Sequence, residues 1–144
     1  MKTILVGLDG SPRSADVLDA AQRLARATSA RLQLFRAVGV PLEVPKIAWS
    51  VAPDQLEKVL EDEARAALEL LARDLPVELV AGASVALGTP WDAICEAARR
   101  EDVDLIVIGS HGYGGMDRVL GTTAAKVVNH ADRSVLVVRA SQRL

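Results

Sequence analysis

A glycine-rich segment in the last third of the chain carries the clearest chemical signal. Residues 109–128 read GSHGYGGMDRVLGTTAAKVV, and five of these positions are glycine. Glycine has no Cβ and tolerates positive φ, so several backbone N–H groups can converge on one anion. Thr122 and Thr123 follow Gly121 at the start of a predicted helix, where hydroxyls and unpaired amides suit phosphate oxygens. The segment predicts phosphate binding; the alternative is a flexible turn in which Thr122 caps the helix.

Common phosphate-binding motifs are absent from this sequence. A Walker loop requires a lysine directly after its second glycine, but Thr122 follows Gly121. A dinucleotide-binding motif requires G-x-G-x-x-G in the first strand–helix turn, and that turn here reads GLDGSP. The serine-containing SGGxDS pattern of PP-loop enzymes is also missing at Asp9. The chain is therefore not predicted to be a P-loop nucleotide hydrolase.

Other reactive side chains give weaker signals. Asp9 ends the first apolar run, where it could accept a backbone N–H within its own turn, for example from Ser11. His111 lies in the glycine segment, but general-base catalysis needs a positioned partner and no carboxylate adjoins it in sequence. We therefore expect His111 at the edge of a ligand or in loop packing. We expect His130 to interact with the C-terminus of the last helix.

The remaining candidates favour structural roles. Lys126 could neutralise phosphate charge, although a solvated helix face is the favoured interpretation; for Arg118 the two interpretations are balanced. Cys95 has no basic neighbour closer than Arg99, which favours buried packing over redox chemistry. The two tryptophans, at positions 49 and 91, are expected to anchor packing rather than stack on a ligand.

The elements that would position these residues alternate along the chain. Short apolar runs predict strands over residues 3–8, 32–38, 77–87, 105–108 and 134–139, with a bulge near Gly82. Helical periodicity follows Pro12, with Ser11 as cap, and recurs over residues 54–74 and 90–100 and in a segment that ends near His130. Strands without clean alternation, separated by helices, predict an α/β fold: a doubly wound, five-stranded parallel sheet of order 3-2-1-4-5 with helices on both faces. Ligands of such sheets bind beyond the carboxyl ends of the strands, here in the loops after strands one, two and four.

Composition limits the partners. The 144 residues suit one domain, residues 1–144, and half of them are hydrophobic. Seventeen Lys and Arg against nineteen Asp and Glu give a net charge of −2, and only 3% of residues are aromatic, so no nucleic-acid partner is expected. One cysteine excludes an internal disulfide and a cysteine-based metal cluster. Without a membrane-length apolar run or a signal-peptide pattern, a cytoplasmic protein is expected.

Several segments together resemble the nucleotide-binding subgroup of the universal stress protein family over essentially the whole length. They are ILVGLDGS, GTPWDAI, DLIVIGSHGYGG, LGTTAAKVV and SVLVVR. The ATP motif of that family is Gly, two residues, Gly, nine residues, then Gly followed by Ser or Thr. Gly109, Gly112 and Gly121-Thr122 match it, but only eight residues separate Gly112 from Gly121.

The resemblance implies a role for each matching residue. Asp9 would lie beside the adenine and ribose, Ala37 or Val38 would contact the adenine, and Ile108 and Gly109 would flank the base and ribose. The binding segment continues through Ser110 and His111. The phosphates would be held by Gly112, Gly121, Thr122 and Thr123. The implied ligand is ATP, AMP or ADP, and any Mg²⁺ would arrive with the nucleotide rather than occupy a protein metal site.

The resemblance also implies a homodimer, because family members commonly pair the last strand, here residues 134–139, across a two-fold axis. The predicted sheet leaves this apolar strand at an edge, where it would associate with other chains unless another element or a second copy packs on it. We therefore expect a stress sensor or regulator that binds adenine nucleotide, with at most weak ATPase activity. Two alternatives remain: a slow ATP hydrolase that uses Asp9 or a loop-held metal, and a dimeric adaptor that needs no nucleotide.

Overall fold

The computed structural model describes residues 1–39, 53–110 and 120–139. The elements are β1 (Thr3–Gly7), α1 (Ser14–Thr28), β2 (Arg31–Val38), α2 (Pro53–Arg73), a 3₁₀ turn (Val77–Leu79), β3 (Val80–Leu87), α3 (Pro90–Arg100), β4 (Leu105–Gly109), α4 (Thr122–His130) and β5 (Ser134–Val138). The five strands form one parallel sheet of order β3-β2-β1-β4-β5, which confirms the predicted topology.

Helices cover both faces of the sheet, and each face has its own apolar cluster. On β1, Ile4 and Val6 pack with buried residues of α1 and α2, whereas Leu5 packs with α3 and α4. Successive strand residues point to opposite faces, so a strand buried on both sides must be apolar throughout. This is why the strands read as continuous apolar runs, and it confirms the doubly wound arrangement.

The start of α1 differs from the sequence prediction. The helix begins at Ser14, two residues after Pro12. The Ser11 hydroxyl accepts the amide of Arg13 at 3.3 Å, and the Ser11 carbonyl accepts the amide of Ser14 at 3.0 Å. Ser11 is therefore part of a turn before the helix, and the prediction that it caps a helix starting at Pro12 is wrong.

The edges of the sheet show two smaller differences. β3 begins at Val80, because Val77–Leu79 forms a 3₁₀ turn after Pro76. Leu32 pairs with Val80 but Gln33 pairs with Gly82, so one extra residue lies next to the glycine at which a bulge was predicted. β5 ends at Val138, one residue before Arg139.

Candidate functional site

A cavity of about 570 Å³ opens at the carboxyl ends of β1, β2 and β4, a volume typical of small-molecule sites. The first turns of α1, α3 and α4 complete its wall. Its lining residues are Gly7, Leu8, Asp9, Ser14, Val17, Phe35, Ala37, Thr89, Pro90, Trp91, Ile94, Ile108, Gly109, Gly121, Thr122, Thr123, Ala124 and Lys126. The cavity thus lies at the switch point of the strand order, where the sequence predicted a ligand.

Asp9 lies on the cavity wall in the turn after β1. Its Oδ1 accepts the amide of Ser11 at 2.9 Å and the hydroxyl of Ser14 at 3.3 Å. The turn requires Gly10, whose φ is +77° and at which a Cβ would lie 2.9 Å from the Arg36 guanidinium. The predicted role of Asp9 within its own turn is therefore confirmed, and the residue also lines the cavity, where its contact with a ligand stays a prediction.

The floor of the cavity comes from the sheet. Phe35, which is fully buried, and Ala37 line it from β2, while Ile108 and Gly109 line it from β4. Val38 is not among the described lining residues, because alternate residues of a strand face opposite sides of the sheet. The lack of a side chain at Gly7 permits close packing there: a Cβ would lie 2.9 Å from Ile108 Cγ2.

The N-terminus of α4 opens onto the cavity through Gly121, Thr122 and Thr123. Among the residues that the structure describes, none provides a side-chain hydrogen bond that caps this end of the helix, and the N-cap residue Gly121 has no side chain. The first amides of an α-helix have no partner within the helix, and together with its dipole they favour an anion. This end of the cavity is therefore suited to phosphate.

Ser110 anchors the framework rather than lining the described cavity. Its amide donates to the Val138 carbonyl at 2.9 Å, and its carbonyl accepts the Gly121 amide at 3.1 Å. The residue is 6% exposed and ties β4 to both β5 and α4. His111 and Gly112, the other two predicted binding residues, lie outside the described residues, as do Trp49 and Arg118.

Sequence reasoning missed one wall of the cavity. Thr89 and Trp91 come from the loop and helix after β3, which the sequence analysis had not included among the ligand-binding loops. The Trp91 ring packs on His130 with 4.7 Å between centroids, and Lys126 Nζ lies 5.4 Å from the Trp91 ring centroid. Trp91 therefore anchors packing, as predicted, and also lines the cavity. The available signal was topological, since all carboxyl ends of a parallel sheet meet at one edge.

Cys95 lies on α3 next to Ile94, but unlike Ile94 it is not among the described residues that line the cavity. It is 2% exposed, and burial raises the pKa of its thiol. A thiol held in its neutral form is a poor nucleophile. The predicted packing role is confirmed by this burial.

Among the residues that the structure describes, no three His, Cys, Asp or Glu side chains form a group able to hold a metal ion. In the same part of the chain, no helix combines the length and apolarity needed to span a membrane.

Comparison with known proteins identifies the family. The sequence pattern of the Universal stress protein family matches residues 1–139. The chain belongs to the universal stress protein family. A curated member, universal stress protein A homolog 1 of Coxiella burnetii, is 30% identical in an alignment of 148 positions, gaps included, that covers 95% of each chain.

Solved structures of the family share the fold. UspA from Lactobacillus plantarum is 25% identical, with a TM-score of 0.72 over 96% of this chain and 97% of that one. A universal stress protein crystallised in complex with cAMP is 28% identical, with a TM-score of 0.69 over 97% of this chain and 98% of the other.

Proposed function

We propose that this universal stress protein binds an adenine nucleotide (ATP, AMP or ADP) in the cavity and acts in the cytoplasm as a sensor or regulator of the stress response. The observation that carries the proposal is that the N-terminus of α4, which no described side chain caps, lines the same cavity as Asp9. The start of α4 thus suits phosphate, and the Asp9 carboxylate suits the hydroxyl and amino donors of a nucleoside.

The part of the cavity lining that comes from the sheet favours a flat base. Phe35, Ala37 and Ile108 present apolar surface from the sheet, and Gly7 adds none of its own bulk. The choice of adenine is supported by the relative that was crystallised with cAMP. Mg²⁺ would be held mainly by the phosphates, since it retains several waters and needs few protein ligands.

Nucleotide occupancy would influence assembly through Ser110. This residue joins the first turn of α4, at the cavity, to β5 at the edge of the sheet. β5 is also the strand through which we propose a homodimer. A ligand that orders the start of α4 is therefore expected to stabilise the dimer edge as well.

The test is equilibrium binding by titration calorimetry with AMP, ADP and ATP. Ala37→Leu adds an isopropyl group to the cavity floor, where it would occupy space that the ligand needs. The affinities for AMP, ADP and ATP should each fall by at least about 100-fold, because overpacking a binding pocket is unfavourable. Val38→Leu, one residue along and not among the described lining residues, is the matched control and should bind normally.

The other functions predict different results. No binding by the wild-type protein up to millimolar concentration would overturn the proposal and leave the dimeric adaptor. Steady-state phosphate release that survives stringent purification and disappears in Asp9→Ala would instead support the slow hydrolase.

A further inference from the structure

The described lining of the cavity carries few charges, and they come from different elements of the fold. Among the described lining residues only Asp9 and Lys126 carry a formal charge. Asp9 lies in the turn between β1 and α1, whereas Lys126 lies in the second turn of α4. A ligand with a donor-rich neutral end and an anionic end matches this polarity in one orientation only.

Lys126 extends the anion-binding end of the cavity. It lies four residues after Thr122 and three after Thr123, so the three side chains share one face of α4. At 1.5 Å per residue, Lys126 is placed roughly 6 Å beyond Thr122 along the helix axis. Its long side chain can therefore reach an anion bound at the amides of the first turn.

Trp91 restricts where the ammonium group lies. Lys126 Nζ is 5.4 Å from the centroid of the Trp91 ring, within the range of a cation–π interaction. The ring is held in turn by His130, at a centroid distance of 4.7 Å. Trp91 and Lys126 both line the cavity, so this interaction keeps the charge at its wall. An ammonium over a ring face still has donors for a phosphate oxygen.

We propose that Lys126, positioned by Trp91, is a specificity residue that binds a phosphate of the ligand and makes the cavity select nucleotides over nucleosides. This inference rests on the proposed nucleotide binding. Lys126 supplies a full charge where the helix N-terminus supplies only a partial one. Since the side chain is exposed, it remains hydrated in the empty protein and its replacement leaves no buried group unpaired.

The experiment compares adenosine, AMP and ATP on the wild-type protein and on Lys126→Met. We expect AMP and ATP to bind about 10- to 30-fold more weakly to the variant, as for the loss of one charge-assisted hydrogen bond. Adenosine should bind within twofold of the wild type. The salt dependence of AMP binding should become shallower, because one fewer screened charge contributes.

Three controls sharpen the comparison. Lys126→Arg should keep AMP binding within about threefold, since guanidinium also binds phosphate and stacks on aromatic rings. Lys58→Met removes an exposed charge from α2, away from the described cavity lining, and should change nothing. Trp91→Leu should lower the affinity for AMP more than the affinity for adenosine. In the double variant with Lys126→Met, the ratio of AMP affinity to adenosine affinity should fall no further than in Lys126→Met alone.

The outcomes separate the two proposals. If the wild-type protein binds neither nucleotides nor adenosine, the proposed function fails and this inference fails with it. If the wild type binds AMP but Lys126→Met binds it equally well, or loses adenosine to the same extent, only the role of Lys126 is overturned.

Discussion

A single carboxylate at Asp9 links the local turn to the ligand cavity. Its Oδ1 accepts one backbone amide and one hydroxyl at the start of α1, so the side chain has a fixed orientation. The cavity then has an ordered hydrogen-bond acceptor in its lining, in the turn between β1 and α1. Ordering before binding lowers the entropy that a ligand must offset.

The variant Asp9→Asn removes the negative charge of Asp9 but keeps an oxygen that can accept the hydrogen bonds of the turn. The amide oxygen can still accept from Ser11 and Ser14, so the free energy of unfolding should change by less than about 1 kcal/mol. Hydrogen-bond donors on the ribose or base would lose a charged acceptor. Calorimetry should therefore show that the affinities for adenosine and for AMP both fall by about tenfold. Asp16→Asn, in the first turn of α1 but outside the described lining, is the control. Unchanged adenosine affinity would exclude Asp9 from nucleoside binding.

The position of the cavity was predictable from the topology, because a parallel sheet brings the carboxyl ends of its strands together. The individual residues Asp9, Ala37, Ile108 and Gly109 came instead from the family resemblance, and all four line the cavity. Trp91 and Lys126 lie within helices, where periodicity reports a buried or solvated face but not which neighbouring helix is met. Their approach depends on how α3 and α4 pack, which the sequence pattern alone does not specify.

At the scale of elements, Asp104 joins β1 to β4 at the amino-terminal ends of these strands, whereas the cavity lies at the carboxyl ends. Its Oδ2 accepts the amides of Lys2 at 2.6 Å and Thr3 at 3.0 Å, while its own amide donates to the Thr3 carbonyl at 2.9 Å. The hydrogen bonds from Thr3 and then Lys2 lower the pKa of the Asp104 carboxyl. The ionised form therefore binds the strand end more strongly than the neutral acid does.

The lowered pKa predicts a pH-dependent contribution to stability. It is fully present above the ordinary aspartate pKa and is lost as the pH falls through the lower folded-state value. The free energy of unfolding of Asp104→Asn should thus be lower than that of the wild type at pH 7, and this difference in free energy should become smaller below about pH 4. Urea unfolding across this range measures it, with Asp62→Asn on α2 as an exposed control. A difference that stays constant with pH would contradict the assignment.

Most element boundaries followed from apolar runs and from glycine or proline. α3 begins at Pro90, as predicted, because a proline at the first helical position loses no intrahelical bond. The errors at α1 and β3 have one physical origin: short turns before an element share the composition of that element. Ser11 could cap a helix or close a turn, and only the hydrogen bonds of the folded chain distinguish the two.

At the scale of the whole molecule, β5 forms one edge of the sheet, and no described strand pairs with its outer side. Leu136 on this strand is 40% exposed, and Val128 on the adjoining α4 is 46% exposed. Apolar groups on an open strand edge favour pairing with another chain. They support the proposed homodimer, in which two copies of β5 would meet about a two-fold axis.

The dimer is tested by sedimentation velocity at micromolar concentrations. The wild-type protein should sediment as a dimer, and Leu136→Asp should shift it toward monomer, because two carboxylates would be buried at the interface. Val77→Asp changes a side chain that is 84% exposed on the 3₁₀ turn and should leave the dimer intact. A monomeric wild-type protein would overturn the β5 interface.

The hydrogen bond between Ser110 and Gly121 has a consequence for how the family varies. It joins the two residues that flank positions 111–120, so α4 is attached to the sheet at this point whatever the number of residues between them. Adding or removing one residue there changes mainly the entropy of closing the chain between the two anchors, which depends only weakly on length. The eight-residue spacing of this chain and the nine-residue spacing of the family motif are thus compatible with one placement of the helix. Insertions and deletions can accumulate between these anchors without moving the first turn of α4 away from the cavity.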